Sequence, residues 1–149
     1  MLRRRETSSV EILDSALARI AAVDGRPGTL VEDSTGSPET ALSEAEARQV
    51  HAFITLTSPR ARAQAEAVDR KLAAGEDPGP LAGIPFTVKD IFCVAGTPST
   101  AGSRILANFV APYSATPVER MEAAGAVMLG KVNLDEFTYG SSNESSAFQ

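Results

Sequence analysis

Leu13, Ala16, Leu17, Ile20 and Val23 recur at intervals of three and four, so the segment after Ser8 predicts an amphipathic helix running up to Gly25. Ser8 with Glu11 three residues on supplies the two side chains of a capping box, which sets its start. A second helical pattern opens at Ser58-Pro59, a capping residue followed by proline at the first helical position, and continues through alanine-rich sequence to Ala74 before Gly75. There Ala61, Ala65, Val68 and Leu72 form the stripe expected to be buried, and Arg60, Arg62, Glu66, Asp69 and Arg70 are read as a solvated charged face. Between the two helices "GRPGTLVEDSTGSPET" is dense in turn formers and predicts an exposed insertion over 25–42, followed by a short helix from Ser43 with Glu46 as its capping partner.

Strand patterns are shorter. "HAFITL" at 51–56 is β-branched and aromatic, and "IPFTV" enters a strand that ends at Lys89-Asp90. Thr116-Pro117-Val118-Glu119 carries both a capping box and an N-terminal proline, predicting a short helix through Glu122 that stops near Gly125. "AVML" then forms a fully apolar run, which suits a strand buried on both faces. Strand, connection, helix and strand between 84 and 129 together predict an α/β layer architecture.

Composition narrows the function classes. A chain of 149 residues with 43% apolar and 22% charged residues can bury one core, as a single domain or as part of a larger one. Its net charge of −5 gives no field that would attract a nucleic-acid backbone. Cys93 is the only cysteine, so no internal disulfide can form; it is read as a small buried apolar group. The basic start Met1–Arg5 runs into Glu6, Thr7, Ser8 and Ser9 rather than an apolar stretch, and no run approaches the roughly 18 apolar residues of a membrane span. A soluble, cytoplasmic protein without membrane contact is expected. His51 is the only histidine and is read as structural; no metal site is expected.

Four groups of residues carry candidate chemistry. Gly125 to Lys131 has the glycine and lysine spacing of a phosphate loop, but Val132 stands where Ser or Thr should hold magnesium, and the intervening residues belong in a buried strand. Nucleotide binding is rejected here, and Lys131 is expected at the surface. Lys89 differs, because a lysine closing a predicted buried strand beside Asp90 is uncommon unless paired. Burial favours the neutral amine, which can act as a general base, so a salt-bridged and a catalytic lysine are equally admissible from the residues alone. Ser141, Ser142, Ser145 and Ser146 lie in a turn after Gly140, where serines usually satisfy their own backbone. Asp135 and Glu136, adjacent in an extended segment, should point to opposite faces and make no acid/base pair.

"GPLAGIPFTVKDIFCVAGTPSTAGSRIL", "ATPVERMEAAGAVMLGKVNLDEFTYGSSNESSAF" and "HAFITL" together resemble the amidase signature family, over residues 8–24 and 51–149. Within it they are most similar to the ammonia-supplying A subunits of the aspartyl/glutamyl-tRNA amidotransferases. The resemblance implies an α/β fold, a mixed β-sheet flanked by helices, of which residues 1–149 would be the N-terminal portion of a single amidase domain. It implies a Ser-Ser-Lys triad in which Lys89 matches the family lysine. The two catalytic serines belong to a GGSSGGS-type segment and a later Gly/Ser stretch, neither found among these residues, so this polypeptide alone is expected to be inactive. Tyr139, Gly140, Ser141 and Ser142 become candidates for lining the substrate pocket, although Tyr139 stands where many relatives carry methionine. The implied substrate is glutamine and the implied partners are the B and C subunits of the amidotransferase, with tRNA reached only through the partner. ATP and magnesium would bind at the partner, and this chain itself would need no cofactor. A stand-alone amidase of the same family and a non-catalytic interaction module are the alternatives.

Overall fold

The computed structural model describes residues 2–4, 6–25, 44–45 and 48–148. The expected insertion beyond Gly25 and the helix start at Ser43 with its partner Glu46 lie outside the described residues. The elements in chain order are α1 (Ser9–Val23), β1 (Phe53–Leu56), α2 (Ser58–Ala74), β2 (Pro85–Lys89), α3 (Thr116–Ala123) and β3 (Val127–Val132). The strands form one mixed sheet in the order β1-β3-β2, with β1 antiparallel and β2 parallel to the central β3. The β2-to-β3 connection runs through α3, as a parallel pair requires a crossover.

Alternation along β3 explains the layering. Val127 and Leu129 pack with Leu13, Phe53, Ala61 and Ala65 beneath α1 and α2. Met128 between them points the other way, into a cluster with Val94 and Val118 flanked by Phe86 and Val88. The apolar run is therefore a central strand buried on both faces, as its composition predicts. Leu13, Val118 and Met128 are almost completely buried, each contributing about 1.5–3 kcal/mol of hydrophobic stabilisation. A third cluster, Ile54, Leu134 and Phe148, ties the last residues back to β1.

The caps follow the sequence unevenly. At α1 the box closes: Ser8 Oγ accepts Glu11 N–H at 3.0 Å while Ser8 N–H donates to Glu11 Oε2 at 2.8 Å. The Ser8 amide, with help from the Thr7 and Ser8 hydroxyls, lowers the pKa of the Glu11 carboxyl. At α2 the cap is Thr57, one residue before the expected Ser58. Its hydroxyl donates to the Met128 carbonyl at 2.9 Å and its amide to Leu129, so Thr57 extends the strand pairing instead of capping the helix. The expected box at α3 does not form; Ala115 is the cap, and Pro117 alone carries the N-terminal signal.

The charged face of α2 is likewise not simply solvated. Arg60 grips Glu122 of α3, Arg62 pairs with Asp14 of α1, and Asp69 accepts the amides of Ser9 and Val10 at 2.8 and 3.1 Å. These side chains tie the helices together because α2 packs against both α1 and the central strand β3, which brings α1 and α3 within reach of its long polar side chains. Among the described residues no helix is long and apolar enough to cross a membrane.

Candidate active site at the end of strand β2

β2 delivers Lys89 to the edge of the sheet. Its pairing with Val132 fixes the register at the strand's last residue, and the following amide, Asp90 N–H, donates to the Val132 carbonyl at 3.0 Å. The Lys89 carbonyl accepts Phe92 N–H at 2.9 Å, so the chain turns sharply just beyond it. Phe86 and Val88 face the Met128 cluster, whereas Thr87 and Lys89 are exposed. Lys89 is thus neither buried nor salt-bridged to Asp90, and its ammonium joins no ion pair or hydrogen bond among the described residues.

The buried lysine is Lys131. Expected at the surface, it is fully inaccessible: its ammonium lies 2.7 Å from Asp90 Oδ1 and donates to the Pro98 carbonyl at 2.6 Å and to Ser99 Oγ at 2.5 Å. β3 simply continues two residues past the apolar run, and Lys131 turns inward to meet a carboxylate that is also fully buried. Asp90 Oδ2 accepts the amide and the hydroxyl of Thr100 at 2.8 and 2.6 Å. Burial lowers the pKa of Lys131, opposed by the hydrogen bond and charge of Asp90. Two hydrogen bonds and one ion pair engage this ammonium, which has no exposed face. The sequence signal was a lysine embedded in strand sequence, which demands a counter-charge; nothing local identified the distant Asp90 as that charge.

The serine-rich turn is organised by Asp135. This buried carboxylate accepts the amides of Asn143 and Ser145 at 3.0 and 3.2 Å and the Ser145 hydroxyl at 2.9 Å. The Asn143 amide in particular holds the pKa of Asp135 below the ordinary carboxylate value. Glu136 is exposed and accepts from Ser103 Oγ at 2.6 Å, so the two acids engage separate partners and form no dyad. Ser146 is buried between Asn133 and the Phe148 amide, and Ser142 donates to Glu144. Tyr139, Gly140, Ser141 and Ser142 are all exposed, Tyr139 at 93%.

Ala101 joins the turn to the strand end. Its amide donates to the Asp90 carbonyl at 3.3 Å and its carbonyl accepts Phe137 N–H at 2.9 Å. Ala101 holds a left-handed φ of 53°, as do Phe137 at 49° and Thr138 at 66°. Such backbone is costly for residues with a Cβ and persists only where surrounding contacts enforce it. Lys89 and the Tyr139–Ser142 turn therefore lie at the two ends of one hydrogen-bonded path.

The remaining candidates are structural. His51 has a left-handed φ of 52°, donates its amide to the Asp24 carbonyl, and receives Asn133 Nδ2 on its own carbonyl. Cys93 is half-buried rather than buried, and its hydrogen bond to Tyr113 raises the pKa of that phenol. No cluster of His, Cys, Asp or Glu able to hold a metal occurs among the described residues.

The chain belongs to the amidase family: the sequence profile described as Amidase matches residues 39–149, about three quarters of its length. The A subunit of the glutamyl-tRNA(Gln) amidotransferase of Anaeromyxobacter sp. (strain K) is 46% identical over 142 residues, covering 95% of this chain and 24% of that protein. The corresponding protein of Cyanothece sp. is 56% identical over 101 residues, covering 68% of this chain and 21% of its own length. Among solved structures, the peptide amidase of Stenotrophomonas maltophilia superposes with a TM-score of 0.70 at 33% identity, over 91% of this chain and 23% of that one. A bacterial aryl acylamidase of the amidase signature enzymes gives 0.66 at 25% identity, over 91% and 24%. The chain spans about a quarter of the length of the curated relatives it matches.

Proposed function

We propose that a protein carrying this chain hydrolyses glutamine through an acyl-enzyme and supplies the ammonia to a partner that amidates glutamyl- or aspartyl-tRNA. Identity of 46% over nearly the whole chain to the A subunit of a glutamyl-tRNA(Gln) amidotransferase supports the assignment to that branch of the family. The observation that carries the chemistry is the contrast between two lysines: Lys131 is buried and engaged by Asp90, Pro98 and Ser99, whereas Lys89 stands exposed at a strand end, its neighbour Asp90 already engaged elsewhere.

Lys89 in its amine form takes the proton of the nucleophilic serine through a bridging serine as the glutamine carboxamide is attacked, then returns it to the departing ammonia. Water completes the cycle by hydrolysing the acyl-enzyme. Both serines and the amides that hold the oxyanion would come from the remaining three quarters of such a protein. The turn at Tyr139, Gly140, Ser141 and Ser142 would line the glutamine pocket. The B and C subunits would be the partners, with ATP, magnesium and tRNA bound on the partner side, in a cytoplasmic complex.

Two assays test the reading. Residues 1–149 alone should release no ammonia from glutamine above background. In the full-length protein, Lys89→Ala should abolish glutamine hydrolysis while leaving the thermal unfolding midpoint in place; a variant with normal turnover would overturn the assignment.

A further inference from the structure

The buried ion pair beside Lys89 has no role in the proton transfers just described, yet it is built at some cost. Asp90 and Lys131 are both completely inaccessible, and desolvating two charges is favourable only when each is fully met by partners. Here Lys131 donates to the Pro98 carbonyl and Ser99 Oγ and Asp90 Oδ2 accepts both donors of Thr100, while Asp90 Oδ1 accepts no hydrogen bond and is met only by the charge of the Lys131 ammonium at 2.7 Å. A fold of this size could fill the same space with apolar side chains at no loss of stability. The pair instead joins three segments: the end of β2, the penultimate residue of β3, and the 98–100 stretch of the connection to α3.

We infer that Asp90 and Lys131 are a positioning pair for Lys89, an inference that rests on Lys89 being the base proposed above. Among the described residues β2 is paired only on its β3 side, and a strand end held on one side frays more readily than one held on both. The residue after Lys89 is anchored three ways: its amide to Val132, its carbonyl to Ala101, and its carboxylate to Lys131 and Thr100. The pair clamps the backbone of the lysine from one side, and its own charges cancel inside the protein. Lys89 is left with a fixed Cα and a free side chain, which is what a proton relay to a serine on another segment requires. Misplacing a reacting group by about 1 Å can cost on the order of a hundredfold in rate.

The test is a charge-free replacement of the pair, Asp90→Asn with Lys131→Met, in the full-length protein assayed with glutamine. If the pair positions Lys89, this double variant keeps its unfolding midpoint and its KM within about twofold but loses kcat by about ten- to a hundredfold. A folded double variant with wild-type kcat overturns the inference, as does a midpoint lowered so far that the unfolded fraction at the assay temperature accounts for the whole loss of kcat, which marks a purely structural pair. Should the double variant not fold, Thr100→Val decides: it removes the hydroxyl that donates to Asp90 and accepts Gly102 N–H while leaving both charges of the pair in place, and an unchanged kcat in that variant overturns the inference. Lys89→Ala run alongside separates the two levels of argument. If Lys89→Ala retains turnover, the reading of Lys89 as the base fails, and the positioning role falls with it. If it is inactive while the double variant is fully active, the positioning role alone fails.

Discussion

The Asp135 carboxylate accepts the backbone amide of Asn143 at 3.0 Å and so closes the serine-rich turn around Gly140. Gly140 packs so tightly onto it that a Cβ there would sit 2.6 Å from the carboxylate carbon. Asp135→Asn should loosen this turn, since an amide can accept at only one of its two positions. If the turn lines the glutamine pocket, KM should rise several-fold with a smaller change in kcat, while Gly140→Ala perturbs the same contact from the other side with the same pattern. Unaltered KM in both folded variants would remove the turn from the pocket.

The same carboxylate predicts a pH response. Its pKa lies below the ordinary 3.8 in the folded state, chiefly through the Asn143 amide. Its contribution to stability is therefore complete above that ordinary value and is lost as pH falls through the lower folded value, in the range below about 4. The protection of the Asn143 and Ser145 amides relative to their intrinsic exchange rates should fall in that acid range in the wild-type chain. In Asp135→Asn protection should already be low at neutral pH, with no further acid-dependent step.

Asp24 is a second buried carboxylate that organises backbone. It ends α1 and accepts the amides of Ala52 and Phe53 at 2.5 and 3.0 Å, fixing where β1 begins. Asp24→Ala leaves both amides without their acceptor, so a loss of about 2–3 kcal/mol is expected in denaturant unfolding. A loss below about 0.5 kcal/mol, the range of neutral surface changes, would show that water replaces the carboxylate without penalty.

Arg60 and Glu122 hold α2 to α3 through two hydrogen bonds of 2.7 Å, and Gln64 joins them on Glu122 Oε1 while its own carbonyl accepts Met128 N–H at 2.8 Å. The hydrogen bond to Glu122 raises the pKa of Arg60, countering its partial burial. Because the Arg60 side chain is 32% exposed, screening reduces the pair's worth, and Glu122→Ala is expected to cost about 1–2 kcal/mol. Arg60→Lys should lose much of the same amount, because an ammonium cannot make the two-pronged contact. Full stability in the lysine variant would reduce the interaction to simple charge attraction.

What could be read in the sequence was what local spacing determines. Ser8 and Glu11 are three residues apart, so their reciprocal cap needed no knowledge of the fold, and the run Val127–Leu129 had no polar position with which to face water. Lys131 was misread because its burial depends on partners at 90, 98 and 99, which only the assembled sheet and connection bring to it. Arg60 and Asp69 were misread for the same reason: whether a charged helix face is solvated depends on what packs beside it, here α3 and the N-terminus of α1. Thr57 shows the limit of cap signals, since Ser58 and Thr57 are both competent caps and strand pairing to β3 claimed the threonine. The spacing placed Lys89 at a strand end, as β2 shows, but left a salt-bridged and an unpaired lysine equally open, because only the backbone alternation of the folded strand end, which buries Asp90 and exposes Lys89, separates the two.

Gly130 sets the closeness of β1 to β3. A Cβ at this position would overlap the Thr55 carbonyl oxygen and press on Leu56 Cα and the Phe53 ring. The register shifts on both sides of β3, opposite Lys131 and Val132 where β1 passes from Phe53 to Thr55, and between Met128 and Gly130 where β2 passes from Phe86 to Thr87. Gly130 thus lies between the two irregularities, paired to Leu56 on one side and Thr87 on the other. The obstacle to Gly130→Ala is backbone rather than a flexible side chain, so β1 must move away as a unit. We expect a loss of about 1–3 kcal/mol in unfolding free energy, the usual cost of overpacking, accompanied by faster amide exchange at Phe53 and Thr57. Because the displaced strand lies on the far side of β3 from β2, Lys89 should keep its place; a folded Gly130→Ala protein with glutaminase kcat within about threefold of wild type is the expected result. A hundredfold fall in kcat at unchanged KM would instead show that the displacement of β1 is transmitted through β3 to Lys89.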